Sequence, residues 1–259
     1  MSTSVSTGAS TAELFVRAKQ ELAPVFAVVD ARVKKNLARV LTAFRAERIG
    51  AHHFAGVSGY GHGDLGRDAL DRVYARVFGA EQAACRIQFV SGTHAIACAL
   101  FGVLRPGDEL LAAVGAPYDT LEEVIGLRGE GQGSLRDFGI TYRQVDLTPQ
   151  GTVDWEALAT AVRPKTRLVT IQRSCGYSWR PSVTIEEIAR IIELVKAQNP
   201  DTVCFVDNCY GEFAEEREPT HVGADLIAGS LIKNPGGTIA PAGGYLAGRA
   251  EWVERACAR

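Results

Sequence analysis

Three short segments of the sequence place polar side chains directly after apolar runs. The first, Ser91-Gly92-Thr93-His94, follows the apolar run 87–90 and begins an amphipathic stretch. Small and hydroxyl-bearing residues at the start of a helix present backbone N–H groups to an anion, and the helix dipole adds about 0.3–1 kcal/mol. The segment therefore predicts a phosphate site at a helix N-terminus, but a plain Ser/Thr cap fits the same residues and is the commoner use of them.

The second segment ends in an acid. Asp207 follows the apolar run 203–206, which is typical of a strand buried on both faces. A carboxylate at the end of such a strand is costly unless a cation or several hydrogen-bond donors meet it. Asp207 therefore predicts a strong partner, which is either a ligand or a structural ion pair.

The third segment carries a lysine, in a chain that uses mostly arginine for positive charge. Lys233 follows the apolar run 226–232 and precedes Asn-Pro-Gly-Gly. A lysine in such partly desolvated surroundings loses its proton more easily and can form a Schiff base with a carbonyl compound. The alternative is a surface lysine whose stem packs on the protein while its ammonium stays in water.

The elements that must position these residues alternate along the chain. Short apolar runs, which predict strands, lie at 87–90, 109–114, 140–145, 168–171, 203–206 and 226–232. Amphipathic segments, which predict helices, lie at 11–48, 67–78, 93–104, 120–127, 155–162, 184–198 and 250–257. This alternation predicts an α/β fold with a parallel or mostly parallel sheet covered on both faces. Ligands of such sheets bind beyond the carboxyl ends of the strands, where the three segments begin.

Composition and charge exclude several classes of protein. The formal net charge of −2 leaves no global basic field for nucleic acid or anionic lipid, so neither is expected as a partner. No apolar run is long enough for a transmembrane helix, and the first residues resemble no secretory signal, so a cytoplasmic chain is expected. The six cysteines form no Cys-x-x-Cys pair and are expected to be reduced and buried.

Three other sequence patterns could indicate a functional site, but each has weaker support. Gly61-His62-Gly63-Asp64-Leu65-Gly66 satisfies G-x-G-x-x-G, but no convincing strand precedes it and Asp64 would repel a pyrophosphate. The Ser-x-x-Lys pattern that ends at Lys233 lacks the companion motifs of serine acyl-transferases. His52 and His53 are adjacent, so their side chains diverge, and no carboxylate stands at ligand spacing. We therefore expect no metal site.

Taken together, the upstream hydroxyl-bearing segment, the strand-end acid and the later lysine are typical of fold type I pyridoxal phosphate enzymes. The string Ser230-Leu231-Ile232-Lys233-Asn234-Pro235-Gly236-Gly237 resembles the aluminium resistance, or methionine γ-lyase-like, branch of the cystathionine/methionine lyase superfamily. The same branch is matched by Ser58-Gly59-Tyr60-Gly61, Gly66-Arg67-Asp68, Gln172-Arg173-Ser174 and the run 176–181. The resemblance implies a fold type I, aminotransferase-like large domain with an N-terminal helical segment.

The resemblance also implies pyridoxal 5'-phosphate as the cofactor. Lys233 would hold it covalently, and Asp207 would pair with its protonated pyridine nitrogen. Tyr118 would stack on the pyridine ring and take part in catalysis, although a tyrosine in a turn after proline is the plain alternative. Arg173 and Tyr177 lie where the superfamily reaches the cofactor's phenolic oxygen or the substrate, but the local pattern departs from it and leaves their roles open.

The phosphate of the cofactor would be bound by Ser91, Gly92 and Thr93 together with Ser230. Tyr60 resembles the tyrosine that the superfamily lends across a two-fold interface to the neighbour's cofactor phosphate. The implied assembly is a homodimer or homotetramer with shared active sites. An irregular surface connection is the plain alternative for this glycine-rich loop.

The implied domains are a tail with a helical segment at 1–50 and a cofactor-binding large domain at 51–259. Because the superfamily continues into a small C-terminal domain, a C-terminally truncated fragment is expected. The implied function is cleavage of a C–S bond in a sulfur-containing amino acid by β- or γ-elimination, giving a 2-oxo acid, ammonia and a thiol. The alternative is a non-catalytic remnant that folds or dimerises without turnover.

Overall fold

A computed structural model describes residues 9–60, 62–129 and 132–259. Its centre is a seven-stranded sheet with the order β1-β7-β6-β5-β4-β2-β3. The strands are β1 Gln82–Arg86, β2 Glu109–Ala112, β3 Thr141–Gln144, β4 Thr166–Gln172, β5 Val203–Asp207, β6 Leu226–Ser230 and β7 Gly244–Gly248. Strands β2 to β6 pair in parallel, whereas β7 runs antiparallel to both of its neighbours. The predicted α/β class with a mostly parallel sheet is confirmed.

Helices cover both faces of this sheet. They are α1 Thr11–Glu21, α2 Ala23–Ala46, α3 Leu65–Phe78, α4 Gly92–Val103, α5 Asp119–Ile125, α6 Trp155–Leu158, α7 Ile185–Gln198 and α8 Ala250–Cys257. Apolar side chains of α3, α6 and α7 pack on one face, and those of α4, α5 and α8 pack on the other. Because both faces are buried, the central strands β5 and β6 consist mostly of apolar residues.

Local sequence explains where several helices begin. The Ser91 hydroxyl accepts a hydrogen bond from the N–H of His94, and the Asp154 carboxylate accepts one from the N–H of Ala157. Thr184 and Glu187 form a reciprocal capping box at the start of α7. Each cap satisfies a backbone donor that the first turn of a helix leaves free.

Near one edge of the sheet, one predicted strand position is wrong and one strand was not predicted. Residues 87–90 are an irregular segment, and the strand that precedes α4 is Gln82–Arg86. Its centre, Ala83 to Cys85, consists of small residues that pair with the glycine- and alanine-containing β7, and such residues give a weak strand signal. Ile87 and Val90 are exposed although they are apolar. Strand β7 was not predicted, because its glycine and alanine residues also give a weak strand signal.

Smaller corrections concern one helix and the cysteines. The helix predicted at 155–162 ends at Leu158 and continues as turns. All six cysteines are free, but Cys175 is only partly buried and Cys257 is exposed. Among the residues described, no helix is both long and apolar enough to cross a membrane.

The two N-terminal helices are attached to the domain through polar contacts. Side chains of α2 donate hydrogen bonds to the segment 213–218: Arg32 to the Ala214 carbonyl, Asn36 to the Phe213 carbonyl, and Arg39 to Glu218. A neighbouring face of the helical segment is apolar and 45–58% exposed. It consists of Leu22, Phe26, Val29, Val33, Leu37 and Leu41. We call these six residues the apolar stripe.

Candidate functional site

A cleft of about 650 Å³ opens at the carboxyl ends of the parallel strands. Its lining includes Thr93 from α4, Tyr118 from the loop after β2, Gln172 from the end of β4, Asp207 from the end of β5 and Lys233 from the loop after β6. Parallel strands bring their carboxyl ends to one edge, so residues distant in sequence meet there. The structure thus brings together side chains from all three segments that were singled out in the sequence.

Asp207 is buried at 3% exposure and has little compensation for its charge. One carboxylate oxygen accepts a hydrogen bond from the N–H of Cys209 at 3.1 Å. No salt bridge joins Asp207 to any residue that the structure describes. Burial therefore raises the pKa of Asp207, although the hydrogen bond from Cys209 and the charge of Lys233 oppose the shift. A cationic group placed in the cleft beside this carboxylate would compensate its buried negative charge.

Lys233 follows β6 and precedes a short 3-10 helix, Asn234–Gly236. Its ammonium lies over the ring of Tyr210, with Nζ 4.2 Å from the ring centroid. Burial lowers the pKa of Lys233, but Cys209, Asp207 and Tyr210 together outweigh burial, and the net shift is upward. The expectation that Lys233 loses its proton more easily is therefore wrong for the cofactor-free chain, because the acidic groups around it favour the ammonium.

Tyr118 connects two walls of the cleft. Its hydroxyl lies 3.0 Å from the Thr93 hydroxyl, and its backbone N–H donates to the Gln172 side-chain oxygen at 3.0 Å. Burial, and secondarily the nearby Asp207 carboxylate, raise the pKa of Tyr118. The phenol therefore keeps its proton at neutral pH.

The start of α4 packs closely against the end of β6. A Cβ atom added to Gly92 would lie 2.7 Å from Cβ of Ser230, so only glycine allows this approach. Ser91 forms the helix cap, as its plain interpretation predicts. Ser91, Gly92 and Ser230 do not line the cleft directly, whereas Thr93 does. The helix N-terminus still points N–H groups of its first turn, which have no intrahelical partners, towards this end of the sheet.

Tyr60 is not brought into the cleft of its own chain. Its side chain is 85% exposed, and Gly61 lies outside the described residues. In the same loop, the Asp64 carboxylate caps α3 by accepting from the N–H of Arg67 at 3.0 Å. Asp64 is thus occupied in a structural contact.

Arg173 and Tyr177, whose roles the sequence left open, lie in different parts of the structure. Arg173 is buried and is paired with Glu215 at 2.9 Å and with Glu218 at 3.6 Å, so it belongs to an internal ion network and does not line the cleft. Tyr177 lines the cleft and is exposed.

Sequence reasoning assigned no role to Gln172, Cys209 or Tyr210, although all three line the cleft. Gln172 ends strand β4, so its position at a strand end was an available signal. Cys209 and Tyr210 follow Asp207 in a loop whose path the apolar pattern does not predict.

Comparisons with known proteins agree with this geometry. Residues 11–259 match the family profile described as methionine gamma-lyase. The chain is 54% identical over 235 residues to the Bacillus subtilis protein YnbB, a match that covers 90% of this chain and 56% of YnbB. It is 28% identical over 216 residues to L-methionine gamma-lyase of Pseudomonas putida, covering 82% of this chain and 49% of that enzyme.

A solved structure shares the fold. The carbon-sulfur lyase involved in aluminum resistance from Clostridium novyi superposes with a TM-score of 0.90 at 50% identity, covering 94% of this chain and 58% of that one. The chain therefore spans between half and three-fifths of the length of these relatives. The likeness confirms the predicted fold type I large domain. With a family match across almost its whole length and a shared fold, the chain belongs to the methionine gamma-lyase family.

Proposed function

We propose that this chain carries the cofactor-binding site of a pyridoxal phosphate-dependent lyase that cleaves a C–S bond in a sulfur-containing amino acid. The observation that carries the proposal is the pairing, in one cleft, of a buried carboxylate without a salt bridge, Asp207, with the amine of Lys233. The carbon-sulfur lyase and methionine gamma-lyase names of its relatives support the same chemistry.

The residues present fit this cofactor. Asp207 would receive the protonated pyridine nitrogen, which supplies the cation that its buried carboxylate lacks. Lys233 would hold the cofactor covalently, and Tyr118 would lie against the pyridine ring. The N-terminus of α4, with Ser91, Gly92 and Thr93, would hold the phosphate together with Ser230, since the first-turn N–H groups and the helix dipole favour an anion there.

When bound, pyridoxal phosphate supplies an electron-poor ring that accepts the negative charge left at the substrate Cα. Lys233 Nζ removes the Cα proton once it is free, and proton transfer by such a positioned group contributes about 10²–10⁴-fold to rate. Asp207 keeps the pyridine nitrogen protonated. The Tyr118 hydroxyl, which lies beside the Thr93 hydroxyl, would give a proton to the leaving sulfur at Cβ or Cγ.

The proposed assembly is a homodimer or homotetramer. Tyr60 faces solvent in the single chain, as a residue that serves a neighbour's site would. The apolar stripe, which begins at Leu22 just before α2, is a second surface that association would bury, because large contiguous patches of exposed apolar residues are uncommon in monomers.

The experiment is an elimination assay with the cofactor-loaded protein. L-Methionine and L-cystathionine are supplied in turn, and thiol and 2-oxo acid are measured together. Norleucine, which has a methylene in place of the methionine sulfur, is the matched control. The proposal expects equal amounts of thiol and 2-oxo acid from at least one sulfur substrate and none from norleucine.

Three results would contradict the proposal. A 2-oxo acid without thiol would indicate a different reaction on the amino group. Cofactor binding with no product from any sulfur amino acid would favour the alternative of a non-catalytic chain. A Lys233→Ala variant that kept full turnover would also exclude the assigned site.

A further inference from the structure

Tyr210 lies against the amine of Lys233. The distance of 4.2 Å from Nζ to the ring centroid is within the range of about 6 Å in which an aromatic face attracts a cation. Tyr210 follows Asp207 by three residues, lines the cleft and is 60% exposed. Its φ of 66° is left-handed, which costs a residue other than glycine some backbone energy. The surrounding contacts must therefore hold the tyrosine in this conformation.

Asn234 supplies one of these contacts. Its side-chain amide donates to the Tyr210 carbonyl at 3.1 Å and to the Glu212 carbonyl at 2.8 Å. Because Asn234 directly follows Lys233 in the chain, the residue that fixes the Tyr210 loop is covalently attached to the lysine. A single peptide unit thus couples the position of the ring to the position of the amine.

The buried Arg173 packs against the same loop and donates hydrogen bonds to it. Its guanidinium donates to the Gly211 carbonyl at 2.7 Å and to the Asn208 side-chain oxygen at 2.8 Å. A Cβ atom on Gly211 would lie 2.3 Å from Cδ of Arg173, so the backbone after Tyr210 rests directly on the arginine. With Arg173 below and Asn234 at the side, the loop has little freedom to move the ring away from Lys233.

We propose that Tyr210 is a positioning residue that holds Lys233 in its ammonium form, and that Asn234 fixes the loop that carries it. This rests on the proposed function, in which Lys233 becomes an ammonium when it takes the Cα proton. An aromatic face attracts that cation and does not take up its proton, so it stabilises the protonated lysine without competing as a base. A carboxylate in the same place would bind the lysine more tightly and hinder its return to the cofactor.

The test uses the cofactor-free chain, so it does not depend on turnover. Amines are labelled with traces of acetic anhydride across a range of pH, and the Lys233 peptide is quantified by mass spectrometry against exposed Lys19. The curve gives the pKa of Lys233. Apart from Tyr210 itself, the titratable groups that face the lysine, Asp207 and Cys209, and those elsewhere in the cleft, Tyr118, Asp119, Cys175 and Tyr177, are the same in every variant.

Three variants separate the ring from its hydroxyl and from its support. Tyr210→Phe keeps the aromatic face and loses only the hydroxyl, whose contribution to the pKa of Lys233 is smaller than those of Cys209 and Asp207, so it should lower that pKa less than Tyr210→Leu does. Tyr210→Leu should lower it by about 0.4–0.7 pH unit. Asn234→Ala, which frees the loop, should lower it in the same direction. An unchanged pKa in Tyr210→Leu, or an equal fall in Tyr210→Phe and Tyr210→Leu, would overturn the role of the ring. An unchanged pKa of Lys233 in Asn234→Ala would overturn the role assigned to Asn234.

Borohydride reduction of the cofactor-loaded chain distinguishes failure of this inference from failure of the proposed function. If Lys233 captures the cofactor but the Tyr210 variants do not change its pKa, the positioning role is wrong and the cofactor site stands. If the pKa shifts occur but the cofactor is never captured on Lys233, the ring holds the lysine as inferred and the assigned cofactor site is wrong.

Discussion

At the scale of single residues, the surroundings of Asp207 are the clearest indication of a site for a cationic ligand. A carboxylate this deeply buried normally meets an arginine, a lysine or several donors. Here Cys209 is the one described residue that donates a hydrogen bond to the carboxylate, and burial raises the pKa of Asp207. Burial of this carboxylate therefore costs the folded chain free energy, and a bound pyridinium would offset that cost.

Replacement of Asp207 by Asn separates a functional from a structural acid. Because the carboxylate is uncompensated without cofactor, Asp207→Asn should leave the stability of the cofactor-free chain unchanged or slightly raised. With cofactor, turnover should fall much further than cofactor affinity, since the amide cannot keep the pyridine nitrogen protonated. Urea unfolding, cofactor titration and the thiol assay measure the three quantities. A cofactor-free variant destabilised by about 3–5 kcal/mol, the usual cost of breaking a buried ion pair, would show that the acid is structural.

The sequence was sufficient to predict which residue types meet in the cleft but not every contact they make. Asp207 and Lys233 stand directly after apolar runs, and the topology of a parallel sheet brings such positions together. The position of Tyr210 over Lys233 depends on a left-handed turn and on hydrogen bonds from Asn234 and Arg173. Contacts of this kind come from tertiary packing, which local residue patterns do not encode.

At the scale of secondary structure elements, hydrophobic pattern predicted the central strands and failed at one edge. Strands β4 and β5 are buried on both faces and contain runs of large apolar residues, Leu168-Val169 and Phe205-Val206, so their sequence signal is strong. Strands β1 and β7 contain small residues, among them Ala83, Ala84 and Ala247, which give a weak strand signal although β7 also holds the large buried Tyr245. The segment 87–90, in which Ile87 and Val90 are exposed and Phe89 is buried, gave a false strand signal beside them.

The loop after β5 contains a second buried acid whose charge should be visible in the pH dependence of stability. Glu212 is 1% exposed, and one of its oxygens accepts from the Tyr245 hydroxyl at 2.9 Å. The other oxygen is buried with no hydrogen-bond partner among the described residues. Burial raises the pKa of Glu212 to about 8, and the charges of Glu218 and Asp207 add to this.

Because the folded pKa lies above the unfolded value of 4.5, the stabilisation from protonated Glu212 is complete below pH 4.5 and is lost as pH rises towards about 8. Glu212→Gln removes this titration. Wild type should therefore lose about 2 kcal/mol or more of unfolding free energy relative to the variant between pH 5 and pH 8. Urea unfolding at several pH values measures it, with exposed Glu254→Gln as the matched control. Parallel profiles for wild type and Glu212→Gln would contradict the buried, protonated acid.

At the scale of the whole molecule, the single chain leaves two surfaces that association would complete. Tyr60 extends into solvent away from its own cleft, and the apolar stripe on α2 is open beside the polar contacts that hold the helix. A two-fold assembly would place the same surfaces of both chains in contact. In the proposed oligomer, each site is built from two chains.

Subunit exchange tests a shared site. Tyr60→Phe and Lys233→Ala should each weaken or abolish activity alone. Mixed dimers hold one site with both groups intact, so an equal mixture after exchange should regain roughly a quarter of wild-type activity when exchange is random. Exchange is followed independently with differently tagged chains. Full exchange without recovered activity would leave Tyr60 as a surface loop residue.

The central claim, that Lys233 and Asp207 form one cofactor site, is tested most directly by borohydride reduction of the chain after incubation with pyridoxal 5'-phosphate, followed by peptide mapping. A single reduced adduct on Lys233 is expected, absent in Lys233→Ala and retained in Lys165→Ala, a lysine outside the cleft. An adduct on another lysine, or equal labelling of several lysines, would contradict the assigned site.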